Sequence, residues 1–146
     1  MKTDRFKMIA SGYLMLVRNG KILLSRRFQT GYMDGSYSLP AGHIEDNETL
    51  TSGTCREICE EIGVALSPPD LKLVHVMHRK SDDIRMDFFF ITDKKGLVPK
   101  NMEPNKCDDL SWFPLNELPT NTIPYIRAAI ENYQQHIFYS EFGWGV

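Results

Sequence analysis

The sequence lacks an excess of either charge, which limits the partners that it can attract over its whole surface. Its 146 residues include 17 Lys and Arg against 19 Asp and Glu, so the net charge is only −2. A balance of this kind excludes a general electrostatic attraction to nucleic acid or to an anionic membrane. Phosphate groups would therefore be bound locally, through a few basic side chains or a metal ion.

Long apolar runs and paired cysteines are also absent. The longest apolar runs, residues 13–17 and 88–91, are far shorter than the ~20 residues that a membrane-spanning helix needs. Residues 1–5 carry no apolar stretch of the signal-peptide type, and we therefore expect a cytoplasmic protein. The three cysteines predict neither a disulfide framework nor a zinc site, because Cys55 and Cys59 stand one helical turn apart and no second Cys or His pair has ligand spacing.

The order of predicted elements indicates one α/β domain, residues 1–146, with a mixed sheet between helices. Asn19-Gly20 between two apolar runs predicts a two-residue hairpin turn, since both turn positions need a positive φ. Apolar runs and turn residues predict strands over residues 13–17, 22–24, 37–39, 71–77, 84–91 and 110–115. Pro40-Ala41-Gly42 is expected to break the third of these strands.

Two helices complete the predicted domain. The first spans residues 49–62 and ends at Gly63, a residue suited to the left-handed conformation of a helix C-terminus. Its predicted buried stripe consists of Thr51, Cys55, Ile58 and Ile62. The second helix is expected to be capped by Thr122 and to start near Pro124. Its predicted core face consists of Ile126, Ala129, Ile130 and Tyr133.

Three carboxylates share one face of the first predicted helix, where Glu57 lies one turn before Glu60 and Glu61. Each like-charged pair at this spacing costs roughly 0.2–0.5 kcal/mol in an isolated helix. A hard divalent cation with oxygen ligands reverses that cost, and it can polarise a phosphoryl oxygen and activate water. An acidic helix face alone is more often simply solvated, so this spacing leaves both interpretations open.

A wider pattern around these glutamates favours the metal site. It consists of Gly42, Glu48, Arg56, Glu57, Ile58, Glu60, Glu61, Gly63 and Val64. In these positions the sequence resembles the Nudix box, and the order of strands and the late second helix resemble the same family. The resemblance implies an α/β/α sandwich built on a mixed sheet. It also implies metal-dependent hydrolysis of a nucleoside diphosphate linked to another group, with Mg²⁺ as the metal and Mn²⁺ as a substitute.

Carried over position by position, the resemblance gives the catalytic and metal-binding roles to the box glutamates. Glu60 and Glu61 resemble metal ligands, and Glu57 resembles either a third ligand or the base that orients the attacking water. Gly42 stands where a backbone carbonyl can approach the metal, or where a turn needs a positive φ. The resemblance does not separate the role of one glutamate from that of another.

Three further box residues are expected to support this site. Arg56 precedes Glu60 by four residues, so we expect a salt bridge between them. Glu48 resembles a brace for the loop before the helix, and Gly63 ends the helix.

Residues outside the box are candidates for the same site. Family members often supply one more acid from a distant loop, and Glu103 is our first candidate, ahead of Asp108 and Asp109. The alternative is an ordinary solvated acidic cluster.

Arg26 and Arg27 end a predicted strand, and the planar guanidinium fork suits phosphate. Because successive strand residues face opposite sides, only one of the two is expected to reach the substrate. Tyr32 is a candidate to contact the substrate through its ring, although most aromatic residues in such regions belong to the core.

The substrate is predicted less sharply than the chemistry. The proline typical of the ADP-ribose branch is missing after the box, and no tyrosine occurs between Tyr37 and Tyr125, where the dinucleoside-polyphosphate branch has one. The compact chain resembles the small MutT-like branch, which hydrolyses nucleoside triphosphates, including oxidised purine nucleotides, to monophosphate and pyrophosphate. ADP-ribose, a nucleotide sugar and capped RNA are the alternative substrates.

The alternative from another functional class is a non-catalytic nucleotide-binding module. A module of this kind is expected to have lost box acids, whereas all four box glutamates are present here. The expected partner is a small nucleotide, with no stable nucleic-acid partner and no membrane. Many relatives are dimers, so a homodimer is among the assemblies that the resemblance implies.

Overall fold

The computed structural model describes residues 4–145, which fold into strands, two α-helices and one 3-10 helix, Pro68–Asp70. In chain order the elements are β1 (Ile9–Leu14), β2 (Val17–Arg18), β3 (Lys21–Arg27), β4 (Tyr37–Ser38), β5 (Ala41–His43), α1 (Leu50–Ile62), β6 (Lys72–Lys80), β7 (Ile84–Ile91), β8 (Cys107–Pro114), α2 (Pro124–Gln134) and β9 (Tyr139–Phe142). Neither helix of this described part combines the length and the apolar character that crossing a membrane requires.

The strands form two sheets. The larger sheet has the order β5-β1-β7-β6-β9, in which β1 runs parallel to β7 and β6 runs parallel to β9, while the other neighbours are antiparallel. The smaller sheet joins β2, β3, β4 and β8, with β8 alongside β3. The predicted mixed sheet is therefore confirmed.

The larger sheet lies between the two helices. On one face, Leu14 packs into a buried cluster with Ile58 of α1. On the other face, Tyr13 packs into a second cluster with Ile126 of α2. Because neighbouring strand residues face opposite sides, β1 contributes side chains to both cores. The burial of each Leu or Ile side chain there stabilises the folded state by roughly 1.5–3 kcal/mol. This arrangement confirms the predicted α/β/α layering.

The hairpin turn is confirmed, but one of its strands differs from the prediction. Asn19 and Gly20 both have positive φ, 54° and 75°, and Val17 pairs with Ile22 across the turn. The single strand predicted over residues 13–17 is wrong, because β1 ends at Leu14 in the larger sheet and β2 begins at Val17 in the smaller one. One apolar run thus passes from one sheet to the other.

Helix α1 begins and ends where the sequence predicts. Thr49 accepts a hydrogen bond from a first-turn backbone N–H, and Gly63 has a left-handed conformation at φ 68°. The predicted buried stripe is wrong at Thr51, which is half-buried, whereas Thr54 is fully buried. Thr54 lies on Gly12 of β1, where a Cβ would come within 1.8 Å of its hydroxyl oxygen, so the helix packs directly on the strand backbone.

Helix α2 starts at Pro124, as expected, but the predicted cap is wrong. Thr122 donates its hydroxyl to the Pro119 carbonyl at 2.7 Å instead of capping the helix, and Ile123 is the N-cap residue without a side-chain hydrogen bond. The proline at the first helical position needs no partner for a backbone N–H. Of the predicted core face, Ile126, Ala129 and Ile130 are buried, and Tyr133 packs against them from a half-buried position.

Two strands were not predicted from the sequence. The expected break of the third strand is present, because β4 ends at Ser38, but the chain then forms an unpredicted strand, β5, which pairs with β1 and sets Gly42 opposite Gly12. Strand β9 joins the edge of the larger sheet beside β6. His75 of β6 fixes this edge, since its Nδ1 lies 2.8 Å from the Ile137 carbonyl and its Nε2 lies 2.8 Å from Ser140 Oγ.

Candidate active site

A cavity of about 920 Å³ lies where α1, strand β5, the larger sheet and the loop after β3 meet. Its acidic lining includes the three box glutamates of α1 and one residue that precedes β8, namely Glu57, Glu60, Glu61 and Glu103. We call the part formed by the three α1 glutamates and the backbone of Ala41 and Gly42 the box wall. The structure thus brings the predicted catalytic residues and the favoured outside acid to one cavity.

Strand β5 holds its backbone directly against the box glutamates. The Ala41 N–H donates a hydrogen bond to Glu61 Oε1 at 3.0 Å. A Cβ on Gly42 would lie 2.0 Å from Cγ of Glu57, so close approach requires a residue without a side chain here. The alternative expectation of a positive φ at Gly42 is wrong, because this glycine has the extended backbone of a strand.

Arg56 joins the box glutamates to the loop before α1. Its Nη2 and Nε donate to the two carboxylate oxygens of Glu48 at 2.7 and 3.0 Å, and its Nη1 donates to Glu57 Oε1 at 2.9 Å. The expected ion pair with Glu60 is present, at a longer 3.3 Å. Glu48 also accepts the Glu45 N–H at 2.7 Å, and its bonds to Arg56 lower its pKa to about 2.

The box glutamates are crowded together and partly removed from water, which disfavours their charged forms. Desolvation raises the pKa of Glu61 to about 8; neighbouring carboxylates add to this rise and the Ala41 N–H opposes it. Desolvation also raises the pKa of Glu57, although Arg56 acts in the opposite direction. A cation placed among these carboxylates would therefore stabilise their charged forms.

The donors of the box wall fit a hard divalent cation. Glu57, Glu60 and Glu61 present carboxylate oxygens, the ligand type that Mg²⁺ and Mn²⁺ prefer. In the conformations that the structure gives for residues 4–145, no three Asp, Glu, His or Cys side chains converge closely enough to hold a metal ion. Arg56 contacts two of these three carboxylates, Glu57 at 2.9 Å and Glu60 at 3.3 Å, and so offsets part of their negative charge.

The three candidate acids outside the box have different surroundings in the structure. Glu103 lines the cavity. Asp108 forms an ion pair with Arg26 at 2.8 Å, and Asp109 accepts hydrogen bonds from the hydroxyls of Tyr37 and Ser111. Of these three acids, Glu103 alone lines the cavity and has neither an ion pair nor a hydroxyl partner of this kind within the described chain.

The side chains of Arg26 and Arg27 lie in different places, as the alternation of side chains along a strand predicts. Arg27 lines the cavity, where its Nε donates to the Tyr32 carbonyl at 2.6 Å and its Nη2 donates to Thr30 Oγ1 at 3.0 Å. Its guanidinium also lies over the Tyr32 ring, which lines the same cavity. Arg26 points away toward Asp108. Arg27 and Tyr32 thus remain candidate substrate contacts, whereas Arg26 is engaged elsewhere.

A further part of the cavity, which we call the sheet wall, was not predicted from the sequence. It consists of Ser11 and Tyr13 of β1, Arg79 of β6 and Tyr125 of α2. Behind it, Arg79 Nε donates to Asp87 Oδ2 of β7 at 2.6 Å, and both side chains are almost fully buried. One signal in the sequence points to this burial: Arg79 follows the buried residues His75 and Met77 at two-residue steps.

Comparison with known proteins agrees with this geometry. A model of the NUDIX domain matches residues 7–133. The chain is 30% identical over 94 residues to the 8-oxo-dGTP diphosphatase of Proteus vulgaris, a match covering 64% of this chain and 83% of that protein. It is 25% identical over 116 residues to the phosphatase NudJ of Escherichia coli strain K12, covering 74% and 76% respectively.

A solved structure extends the likeness to three dimensions. The MutT NUDIX hydrolase from Burkholderia pseudomallei superposes with a TM-score of 0.76 at 28% identity, covering 86% of this chain and 98% of that one. The family match spans most of the sequence, and it includes the residues of the box wall. The chain therefore belongs to the NUDIX domain family and is a Nudix hydrolase.

Proposed function

We propose that this hydrolase converts a nucleoside triphosphate, ordinary or oxidised, to a nucleoside monophosphate and pyrophosphate, in a reaction that depends on Mg²⁺. The observation that carries the proposal is the meeting of the box glutamates with Glu103 and Arg27 in one cavity. The relative named 8-oxo-dGTP diphosphatase supports a nucleoside triphosphate as the substrate.

The box wall supplies the groups that would hold the metal. Glu60 and Glu61 are the proposed ligands, together with Glu57 or the Gly42 carbonyl, and Glu103 is the proposed ligand from outside the box. Nudix hydrolases generally use divalent metal ions. Mg²⁺ held there would polarise a phosphoryl oxygen and make a water molecule easier to deprotonate.

The chain's own side chains provide orientation and proton transfer. The Ala41 N–H and Arg56 hold the carboxylates of Glu61 and Glu57 in place. A water oxygen forms a bond to the α- or the β-phosphorus, the P–O bond of the bridge between these two atoms breaks, a box carboxylate takes the water proton, and the monophosphate and pyrophosphate separate. Arg27 carries a guanidinium in the same cavity, and we assign to it the pairing with phosphate oxygens.

The proposal is tested by a hydrolysis screen with identification of products. The panel holds ordinary and oxidised nucleoside triphosphates, ADP-ribose, a nucleotide sugar, a dinucleoside polyphosphate and capped RNA, each with and without Mg²⁺. We expect pyrophosphate release from a triphosphate only when Mg²⁺ is present. Turnover of another substrate class alone would overturn the substrate assignment, and turnover in the presence of a chelator would overturn the metal dependence.

A pair of matched variants tests the residues. Glu61→Gln removes a charge from the box wall, and we expect a loss on the order of 10²–10³-fold in kcat because transition-state charge stabilisation is lost. Glu131→Gln makes the same change on the exposed side of α2 and should leave kcat unaltered. Equal activity of the two variants would remove Glu61 from the proposed site.

A further inference from the structure

The sheet wall contains a buried hydroxyl without a hydrogen-bond partner. Ser11 is 2% exposed, and its Oγ is the one buried side-chain nitrogen or oxygen within residues 4–145 that makes no hydrogen bond. Buried polar groups are nearly always paired, and an unpaired one destabilises the folded protein. Since Ser11 lines the cavity, a ligand bound there is in position to supply the partner that this hydroxyl lacks.

Arg79, in the same wall, is held in one orientation. Its Nε and Nη2 donate to Asp87 at 2.6 and 3.5 Å, and its guanidinium carbon lies 3.7 Å from the centroid of the Tyr125 ring. The third guanidinium nitrogen, Nη1, makes no hydrogen bond to another residue of the described chain. Arg79 lines the cavity, and Nη1 is the guanidinium nitrogen that remains for a ligand bound there.

Strand pairing places Ser11 and Arg79 on one face of the sheet, on the two strands that flank β7. Ser11 of β1 pairs with Asp87 of β7, and Asp87 pairs with Met77 of β6, so Arg79 lies diagonally across from Asp87 on the same face. The Asp87 carboxylate also accepts the Tyr13 hydroxyl at 3.1 Å. Asp87 is fully buried, so it anchors the wall while Ser11 and Arg79 form the surface that meets a ligand.

The charge of this surface indicates what it binds. The Arg79 charge is compensated by Asp87 at contact distance, so the wall offers hydrogen-bond donors with little net charge. Such donors suit a neutral oxygen acceptor better than a phosphate, which favours an uncompensated cation. A guanidinium has no acceptor, so an amino group placed against it would leave two donors facing each other.

We propose that Ser11 and Arg79 bind a carbonyl oxygen of the nucleobase, and that they select bases with a carbonyl over bases with an amino group at the same position. This inference rests on the proposed nucleotide-hydrolase function and adds to it the chemical group that the sheet wall recognises.

The test measures binding of inosine monophosphate and adenosine monophosphate by calorimetry, which requires no turnover. Both nucleotides contain ribose and phosphate. Inosine monophosphate carries a carbonyl beside a ring N–H, whereas adenosine monophosphate carries an amino group beside an unprotonated ring nitrogen. For the wild type we expect inosine monophosphate to bind at least about tenfold more tightly, the ratio that one well-formed hydrogen bond supplies. Absence of this preference would overturn the inference.

Ser11→Ala provides the sharpest variant. Because the hydroxyl has no partner in the protein, its removal should leave the melting temperature equal to or above that of the wild type. Binding of inosine monophosphate should weaken about tenfold, while binding of adenosine monophosphate should change by less than about twofold. Ser111→Ala, a control in β8 outside the cavity lining, should leave both affinities unchanged.

Arg79→Lys keeps the positive charge beside Asp87 but removes the planar donor fork. We expect it to abolish the preference for inosine monophosphate. Equal weakening of the binding of both nucleotides by Ser11→Ala and by Arg79→Lys would instead indicate contact with the shared ribose or phosphate and would overturn the inference. Failure of the hydrolysis screen with the base preference intact would overturn only the proposed reaction, so the two failures are distinguishable.

Discussion

The two walls of the cavity are assembled in different ways. The box wall comes from one helix and the short strand before it, within residues 41–61. The sheet wall comes from two strands and a second helix, and its residues extend from Ser11 to Tyr125. The proposed reaction chemistry thus depends on a local unit, whereas the proposed recognition of the substrate depends on the complete fold.

The electrostatics of the two walls differ as well. In the box wall, carboxylates crowd together and the pKa of Glu61 rises to about 8 through desolvation. In the sheet wall, Arg79 and Asp87 compensate each other at 2.6 Å. The first wall is therefore suited to receive a cation and the second to receive a neutral hydrogen-bonding group. Substitutions in each wall should accordingly have different consequences.

The strongest effect should come from the buried ion pair behind the sheet wall. Asp87→Ala leaves the buried Arg79 guanidinium without its partner, and we expect a loss of about 3–5 kcal/mol in the free energy of unfolding. Asp108→Ala breaks the exposed pair with Arg26 and should cost far less, because water screens the attraction between exposed charges. Urea unfolding of both variants makes the comparison, and similar losses would contradict it.

The next effect concerns the box wall. In Gly42→Ala, the added Cβ would lie 2.0 Å from Cγ of Glu57 and must displace that carboxylate. A misplacement of this size costs on the order of 100-fold in kcat. The control is the same change in a Glu57→Gln background, where the additional loss should be much smaller because the two changes act through one group. Additive losses would show that Gly42 acts independently of Glu57.

The weakest effect is the pH dependence that His75 gives to the sheet edge. Burial lowers the pKa of His75, whose neutral ring donates from Nδ1 to the Ile137 carbonyl and accepts the Ser140 hydroxyl at Nε2. Below a pH of about 6.5, His75 takes up a proton in the unfolded chain but resists protonation in the folded one. The free energy of unfolding therefore decreases as the pH is lowered, by at most about 1.4 kcal/mol per pH unit. This slope should diminish in His75→Gln when unfolding is measured between pH 7 and 5. An unchanged slope would assign the pH dependence to other groups.

The sequence predicts local features well, because their causes lie within a few residues. The hairpin turn follows from Asn19-Gly20, and the ends of α1 follow from Thr49 and Gly63. The spacing of Glu57, Glu60 and Glu61 places them on one helix face, and the structure brings them to one cavity. The glutamate face of the box wall is therefore predictable from the amino-acid order alone.

Features that depend on distant strands could not be predicted in this way. The strand break at Pro40 is predictable, but only pairing with β1 makes the following residues, Ala41–His43, into β5. Arg79 and Asp87 become partners because β6 and β7 adopt one particular register. Nothing near Ser11 in the chain indicates that its hydroxyl is buried without a partner. The sheet wall is a product of the complete fold.

Metal binding by the box carboxylates is the step on which the proposed hydrolysis depends. Electron paramagnetic resonance of Mn²⁺, titrated into the wild type, Glu61→Gln and Glu131→Gln, measures this binding without a substrate. We expect equal Mn²⁺ affinity for the wild type and Glu131→Gln, and an affinity at least about tenfold lower for Glu61→Gln. Equal affinity in all three proteins would contradict metal binding by the box wall and would place the metal elsewhere.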